Sequence, residues 1–338
     1  MNSGIDFVVL WVDGDDSEWI KSYNFHKKQL FANPTEIDTH RYRDMDILKY
    51  LFRSFDYYSP WVDNIYFVTC GQKPSWLTDV QGKLKFINHE DFIPKEFLPT
   101  FNSTTIEMFI HLIPNLSEKF VFFNDDTILN APIPADFFYK KGKPCDTLAL
   151  HPNIENNIES YPYGSIMHTA ITILNSKFSP KNTLYNHFTK IFNYKYGLST
   201  NLKNLLCIPW WGFSGFVNYH SAQPFTKTTF FKVWSAHSEL LRKSAESKFR
   251  QGDNISQYLF RFSQLLEGDF HPVSQVNRSI FYNVSDSNID SVLSCLKQAK
   301  IKVICINDSE KMTKFEYVTN ELSTFLESKF PNKSSYEL

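Results

Sequence analysis

Acidic side chains follow three apolar runs of the sequence directly, and their types and spacing suit metal chemistry. The junctions are Asp13-Gly14-Asp15-Asp16 after the run 5–12, Asn124-Asp125-Asp126 after 120–123, and Asn307-Asp308 after 301–306. Carboxylates that lie close together repel one another unless a cation neutralises them, and oxygen ligands favour Mg²⁺ or Mn²⁺ over zinc. Each junction alone also fits an ordinary turn or helix cap. Three of them in one chain favour a divalent metal site.

Short runs of β-branched and aromatic residues predict the strands that position these junctions. They cover 5–12, 65–69, 83–87, 120–123 and 301–306, and apolar residues at helical spacing recur at 44–58 and 105–113. Alternating strands and helices predict an α/β fold with a largely parallel central sheet. Such sheets bind ligands at the carboxyl ends of their strands, so we expect the three acidic junctions to converge there.

Helical patterns dominate the middle of the sequence. They occur at 166–175, 184–192, 230–245 and 254–266 and predict a mainly helical lobe inserted over residues 151–269. Residues 1–150 and 270–330 are then expected to form the α/β core, to which a strand at 301–306 and a helix at 314–330 return. We expect residues 331–338 to be a flexible tail.

Composition excludes several classes of protein. Lys and Arg total 35 and Asp and Glu total 36, a formal charge of −1, which argues against a nucleic-acid partner bound by bulk electrostatics. No apolar run approaches the roughly 18 to 20 residues that cross a bilayer, and no signal-peptide pattern is seen, so we expect a cytoplasmic protein. Five cysteines without a CxxC pair indicate reduced, mostly buried thiols.

Segments around the acidic junctions resemble the Stealth family of sugar-1-phosphate transferases, which includes bacterial capsular polysaccharide phosphotransferases. The run 5–16 with Trp19 is similar to the first conserved region of the family. The second resembles Arg41-Tyr42-Arg43-Asp44, Leu98-Pro99-Thr100-Phe101-Asn102-Ser103 and Asn124-Asp125-Asp126. The third resembles His220, Gln223-Pro224-Phe225, Lys227 and Phe249-Arg250, and the fourth resembles Ile304-Cys305-Ile306-Asn307-Asp308.

The resemblance implies a GT-A or Rossmann-like transferase. It would move a sugar-1-phosphate from a UDP-sugar to a hydroxyl of a glycan or lipid-linked oligosaccharide in capsular or cell-surface polysaccharide synthesis, and release UMP. Mg²⁺ or Mn²⁺ would be held by Asp125, Asp126, Asn307 and Asp308. The helical lobe would lie on the acceptor side, and we also expect peripheral association with membrane-bound capsule assembly proteins at the inner face of the membrane.

Individual roles follow from the same resemblance and from side-chain chemistry. His220 is expected to be the general base, because the usual pKa of histidine suits proton pickup near neutrality. Arg250 would grip phosphate bidentately, and Asp125 would act in catalysis. Donor contacts are expected from Trp11, Asp13, Gly14, Asp16, Arg53, Asn102 and Lys227. Family members often carry an Asp four residues beyond the arginine, and here either Asp253 or Asn254 takes that place.

Two other functions remain open at the level of sequence. A metal-dependent glycosyltransferase would use a similar sheet and acidic motif but attack the anomeric carbon and release UDP. A catalytically inactive binding subunit would bind no nucleotide sugar in the presence of metal. The fold cannot separate the two transferases, because unrelated chemistries share folds. The released nucleotide can separate them.

Overall fold

The structure, a computed structural model, describes residues 4–30, 43–78, 82–154, 161–309 and 312–338. The strands are β1 (Ile5–Leu10), β2 (Ile65–Thr69), β3 (Leu84–Asn88), β4 (Lys119–Asn124), β5 (Thr127–Leu129), β6 (Tyr139–Lys140), β7 (Lys143–Asp146), β8 (Gln223–Thr226), β9 (His271–Pro272), β10 (Ser279–Val284) and β11 (Val303–Asp308). The helices are α1 (Ser17–Leu30), α2 (Leu48–Tyr58), α3 (Ser103–Phe109), α4 (Tyr161–Lys177), α5 (Pro180–Ile191), α6 (Gly197–Cys207), α7 (Lys227–Ala245), α8 (Gln257–Leu266), α9 (Ile289–Gln298) and α10 (Phe315–Lys329).

The central sheet has the strand order β3-β2-β1-β4-β8. The first four strands are mutually parallel, and β8 lies antiparallel to β4 at one edge. Central strands β1, β2 and β4 are apolar runs because both faces of the sheet are covered. The prediction of an α/β fold with a largely parallel sheet is confirmed.

Two hydrophobic cores cover the two faces of this sheet. On one face, Phe7 and Phe123 pack with Phe52 and Phe55 of α2. On the other face, residues of β4 and β8 share one core with α7 and α8, where the rings of Phe230 and Phe260 stack 4.1 Å apart. The helical region 151–269 is therefore not a separate lobe. It supplies strand β8 to the central sheet, and its helices α7 and α8 contribute to the hydrophobic core on one face of that sheet.

The strand predicted at 301–306 lies outside the central sheet. It is β11, which forms a second sheet in the order β10-β11-β5. The short strand β5 begins directly after Asp126 and pairs antiparallel with β11, which places Cys305 opposite Thr127. The amide of Ile306 also donates to the carbonyl of Asp126 at 2.8 Å. The third acidic junction, at the end of β11, is therefore connected to the second junction by the pairing of β5 with β11. It does not lie at the carboxyl end of a strand of the central sheet.

Residues 331–338 do not form the flexible tail that the sequence predicted. Tyr336 is buried against Phe52, and the Glu337 carboxylate pairs with Arg53 at 2.8 Å. The backbone closes the same contact, because the amide of Leu338 donates to the carbonyl of Trp76 at 2.9 Å. An apolar ring and a buried ion pair at the chain end outweigh the tendency of a terminus to fray.

Candidate active site

The first two acidic junctions lie at one edge of the central sheet. Strands β1 and β4 are parallel neighbours with Leu10 opposite Asn124, so their carboxyl ends leave the sheet side by side. Gln72 fixes the first junction by accepting from the Asp13 amide at 2.8 Å and donating to the Asp13 carbonyl at 2.9 Å. The Asp16 carboxylate accepts from the Trp19 amide at 2.7 Å in the first turn of α1. The predicted convergence of these two junctions is confirmed.

Three carboxylates crowd together where β4 turns into β5. Burial and the neighbouring carboxylates of Asp126 and Asp44 raise the pKa of Asp125 to about 8. Burial also raises the pKa of Asp44, and the carboxylates of Asp13 and Asp15 add to that shift. Within the described ranges, Asp44, Asp125 and Asp126 form no ion pair with lysine or arginine. We call these three residues the acidic turn.

The acidic turn has the charge and the ligand type that a hard divalent cation prefers, because its donors are carboxylate oxygens. A cation beside them would offset the burial and the repulsion that raise the pKa of Asp125. The predicted ligands Asp308 and Asn307 are engaged elsewhere. Both oxygens of Asp308 accept from the Arg43 guanidinium at 2.7 Å, and the Asn307 amide donates to Asn283 Oδ1 at 2.8 Å. The Asp44 charge acts on Asp125, and the ligand atoms that lie within 4.8 Å of one another are those of Asp126, His220 and Cys305.

Cys305 lies beside the acidic turn without offering a thiolate. Its Sγ, the Asp126 carboxylate and a ring nitrogen of His220 lie within 4.8 Å of one another. Burial and the charge of Asp126 raise the thiol pKa well above its usual value, so Cys305 stays protonated. All five cysteines are free thiols, as the sequence indicated.

His220 stands directly against the carboxyl end of β4. A ring nitrogen lies 3.2 Å from Asn124 Nδ2, and the ring packs edge-on against Phe281 with centroids 4.9 Å apart. Burial lowers the pKa of His220, while the carboxylate of Asp126 opposes that shift. The imidazole is therefore neutral near pH 7 and able to accept a proton. The predicted base and the predicted catalytic Asp125 are brought to one place.

Arg250 is exposed next to the amino end of α3. Its guanidinium donates to Ser103 Oγ, and its positive charge acts on the buried carboxyl of Glu107. Burial raises the pKa of Glu107 to about 7, against the hydrogen bond from the Gln257 amide and the charge of Arg250. Because the Arg250 guanidinium is exposed and the raised pKa of Glu107 favours the neutral carboxyl beside it, Arg250 is available to bind an anion. Its predicted role in gripping phosphate remains a proposal.

Three predicted donor contacts are structural residues. Arg53 is buried and donates to Glu327, Glu337 and the Phe330 carbonyl, which ties α2 to α10 and to the chain end. Asn102 is fully buried as the cap of α3. Lys227 directly follows β8. Because β8 runs antiparallel to β4, Lys227 lies at the amino end of β4, whereas the acidic turn lies at its carboxyl end. Burial places Arg53 in the contact between α2 and α10. Asn102 caps α3 next to Ser103, the partner of Arg250.

The structure shows which of the two candidates for the family's acidic position, Asp253 or Asn254, is buried. The Asn254 Oδ1 accepts from Asn102 Nδ2 at 2.9 Å and from the Gln251 amide at 2.6 Å, whereas Asp253 is exposed. Asn254 therefore holds the segment after Arg250 onto the start of α3. Trp11 is half-buried and stacks on Phe67 with ring centroids 5.7 Å apart, and Gly14 lies in the loop between Asp13 and Asp16. The predicted motif residues Arg41 and Tyr42 lie outside the described residues.

A buried ion pair behind His220 was not predicted from sequence. Arg261 donates to both oxygens of Asp146 at 2.8 and 2.9 Å, and its third contact is Asn218 Oδ1 at 3.0 Å. Asn218 in turn donates to the Tyr258 hydroxyl at 2.9 Å. Arg261 and Asp146 are 115 residues apart in the sequence, so the local signal of the pair is a charged residue in the middle of the largely apolar helix α8. Asp44 was quoted in a motif but likewise missed as a site residue.

Comparison with known proteins matches three conserved regions of the Stealth protein family. Conserved region 1 matches residues 4–29, conserved region 2 matches 41–146 and conserved region 4 matches 294–338. The capsular polysaccharide phosphotransferase WcwK of Streptococcus pneumoniae is 38% identical over 98% of both chains. The exopolysaccharide phosphotransferase cps2G of Lactiplantibacillus plantarum is 34% identical over 98% of this chain and 96% of that protein.

The chain is also similar to a further phosphotransferase and to a solved transferase structure. The receptor polysaccharide phosphotransferase WefC of Streptococcus gordonii is 34% identical over 99% of both chains. Among solved structures, the galactosyltransferase LgtC in complex with donor and acceptor sugar analogs matches with a TM-score of 0.39 and 10% identity, covering 94% of this chain and 95% of that one.

Proposed function

The chain belongs to the Stealth family, and on that premise we propose that it is a polysaccharide phosphotransferase that moves a sugar-1-phosphate from a UDP-sugar to a hydroxyl of a glycan acceptor. The products are a phosphodiester and UMP. The observation that carries the proposal is the placement of neutral His220 beside the acidic turn, at the edge where an α/β sheet receives its ligand.

The reaction requires attack of the acceptor hydroxyl on the β-phosphorus of the donor. The new bond joins the hydroxyl oxygen to that phosphorus, the bond from the phosphorus to the bridging oxygen breaks, and UMP leaves with the bridging oxygen. His220 takes the proton of the attacking hydroxyl, because its lowered pKa leaves the ring unprotonated near pH 7. Asn124, within hydrogen-bond distance of the ring, keeps the imidazole oriented.

The remaining site residues would neutralise the negative charge of the donor diphosphate. Asp44, Asp125 and Asp126 would hold Mg²⁺ or Mn²⁺, which supplies charge neutralisation of the diphosphate when bound. Arg250 presents an exposed guanidinium at the same end of the fold and pairs with phosphate oxygens in a two-pronged contact. The loop from Asp13 to Asp16 borders the acidic turn and contacts the donor, with Gly14 allowing close approach.

The leaving nucleotide and the fate of the anomeric oxygen test the reaction. Donor labelled with ¹⁸O at the anomeric oxygen is incubated with acceptor, enzyme and Mg²⁺ or Mn²⁺, and the products are read by mass spectrometry and phosphorus NMR. We expect UMP, a phosphodiester that retains the label, and an unchanged anomeric configuration. UDP that carries the label shows attack at carbon and replaces the proposal with the glycosyltransferase alternative. Absence of nucleotide-sugar binding with metal present supports an inactive binding subunit.

Substitution of His220 tests its assignment as the base. His220→Ala is expected to lower kcat by about 10²- to 10⁴-fold while the Kd for donor changes little, because proton transfer is lost and donor contacts remain. His168→Ala, which removes an exposed histidine from α4, is the matched control and is expected to be neutral. Unchanged kcat in His220→Ala, with an intact fold, returns His220 to a structural role.

A further inference from the structure

Helix α6 directs its leucines toward solvent. Leu198, Leu202, Leu205 and Leu206 recur at helical spacing, so they form one apolar stripe, and Leu198 is 87% exposed. A helix of a globular protein normally turns such a stripe toward the core. Helix α8 does so, since Leu259, Leu265 and Leu266 are all buried.

The inward side of α6 is instead held by a polar residue. Buried Asn204 donates to the carbonyls of Leu148 at 2.9 Å and Ile191 at 2.7 Å, and it accepts from the Leu150 amide at 2.7 Å. Three buried hydrogen bonds fix the rotation of the helix, because breaking them would leave buried polar groups unpaired. The outward direction of the leucines is thus set by the fold.

Aromatic residues extend the apolar stripe at both ends of α6. Tyr194 precedes the helix, and Trp210 and Trp211 follow it, with Trp211 99% exposed. We name this surface the α6 face and define it by Tyr194, Leu198, Leu202, Leu205, Leu206, Trp210 and Trp211. Large exposed apolar patches mark interaction surfaces, and tryptophan and tyrosine favour the boundary between water and lipid.

The sequence of α6 and its flanks carries lysine but no acidic residue. Residues 191–210 contain Lys195 and Lys203 and no arginine, aspartate or glutamate. Lys195 and Lys203 are exposed next to the α6 face, and neither pairs with a carboxylate among the residues that the structure describes. A surface that combines exposed leucines, tryptophans and lysines complements an anionic lipid surface.

We propose that the α6 face docks on the surface of an anionic lipid bilayer. The leucines and tryptophans enter the boundary of the acyl chains, and Lys195 and Lys203 meet the headgroups. In the described parts of the chain, no helix has both the length and the hydropathy to cross a bilayer, so the docked protein lies on the surface. This inference goes beyond the proposed function and does not depend on it.

Docking would place the active site close to the lipid. Thr200, also on α6, lies close enough to the Tyr219 side chain to oppose the rise that burial causes in its pKa, and Tyr219 precedes His220 in the sequence. The docked helix thus contacts the segment that carries the proposed base. An acceptor glycan anchored in the same membrane would reach His220 from that side.

Co-sedimentation of the full chain with vesicles tests the proposal. Vesicles of phosphatidylglycerol and phosphatidylcholine are compared with vesicles of phosphatidylcholine alone. We expect binding to the anionic vesicles, weakened by salt, and a fall of at least about tenfold in partitioning for Leu202→Ser with Leu206→Ser, and for Trp210→Ser with Trp211→Ser. Lys195→Glu with Lys203→Glu is expected to weaken binding to the anionic vesicles only.

Matched variants elsewhere on the surface provide the controls. Leu240→Ser with Tyr317→Ser removes exposed apolar area outside the α6 face, and Lys297→Glu with Lys300→Glu makes the same charge change. Both controls are expected to bind vesicles as the wild type does. Wild-type protein that ignores anionic vesicles, or face variants that bind as well as the controls, would overturn the proposal. So would a dimer in sedimentation velocity that Leu202→Ser with Leu206→Ser abolishes, because a second copy then covers the face.

Discussion

Asp125 and Asp146 differ in the charge of their neighbours, and their pKa values are shifted in opposite directions. Asp125 lies in the acidic turn, where burial and the carboxylates of Asp126 and Asp44 raise its pKa to about 8. Asp146 is fully buried, yet its pKa lies below the usual range, because the charge and hydrogen bonds of Arg261 outweigh the effect of burial. Gln223, Gln275 and the Thr147 amide also donate to Asp146.

The contrast separates two uses of the same residue type. A buried carboxylate such as that of Asp146, whose oxygens are hydrogen-bonded, stabilises the native state only while its cationic partner Arg261 is present. A cluster of carboxylates without cationic partners costs stability, and that cost is offset when a cation binds. The same contrast distinguishes buried, saturated Arg53 from exposed Arg250.

The largest effect is expected at the acidic turn. Asp125→Asn and Asp126→Asn should each lower kcat by about 10²- to 10⁴-fold, because each removes a charge that the site needs for a divalent cation. The free energy of unfolding should stay the same or rise, since repulsion is relieved. Steady-state kinetics and urea denaturation measure the two quantities. Asp136→Asn, at an exposed carboxylate, serves as the control.

Full activity in excess chelator would contradict the role of the acidic turn. So would a large loss of stability in Asp125→Asn, because that result would show a carboxylate that the fold depends on.

The next effect is expected at the buried pair. Asp146→Asn should lower the free energy of unfolding by about 3–5 kcal/mol, because it leaves the Arg261 charge uncompensated in the interior. The control is Asp269→Asn, which breaks an exposed contact with Lys232 at 2.8 Å and should cost less than about 1 kcal/mol. Denaturant titrations compare the two variants. Equal losses would show that burial does not distinguish these pairs.

Lysine substitutions separate the two arginines by a smaller effect. Arg250→Lys should lower kcat/KM by about 10- to 100-fold with little change in stability, because an ammonium cannot replace a two-pronged guanidinium contact. Arg53→Lys should lower the midpoint of thermal unfolding and leave kcat/KM of the folded protein unchanged, since Arg53 links α2 to Glu327 and Glu337. The reverse pattern would return Arg53 to the donor site.

The pH dependence of stability in metal-free protein sharpens the comparison of the two aspartates. The pKa of Asp125 is about 8 in the folded state and about 3.9 in the unfolded state, so the folded state binds more protons between these values. Its contribution to the free energy of unfolding is therefore present below about pH 4 and lost as pH rises toward 8. Asp125→Asn should remove this slope.

Asp146 should show the opposite pH dependence. Its folded pKa is lowered, so its contribution is present above about pH 4 and lost as pH falls further. Urea titrations across this range, in chelator, compare wild type with Asp125→Asn. An identical slope in the two proteins would contradict the raised pKa of Asp125.

Much of the fold could be predicted from local patterns. The apolar runs that became β1, β2 and β4 are short, β-branched and bounded by polar residues, so they identify buried parallel strands without knowledge of their partners. Asp13 and Asp125 follow two of those strands, and the parallel arrangement alone brings them to one edge. Local sequence therefore determined the sheet and the place of the acidic turn.

Tertiary structure alone decided which polar residues are free to act. Arg43 pairs with Asp308 across 265 residues, which gives a predicted metal ligand a cationic partner that the sequence did not reveal. Arg53 meets Glu337 across 284 residues, which makes a predicted donor contact structural. Periodicity in a sequence reports that a side chain is buried or exposed, but the charge of a site depends on partners that only the folded chain brings within hydrogen-bond distance.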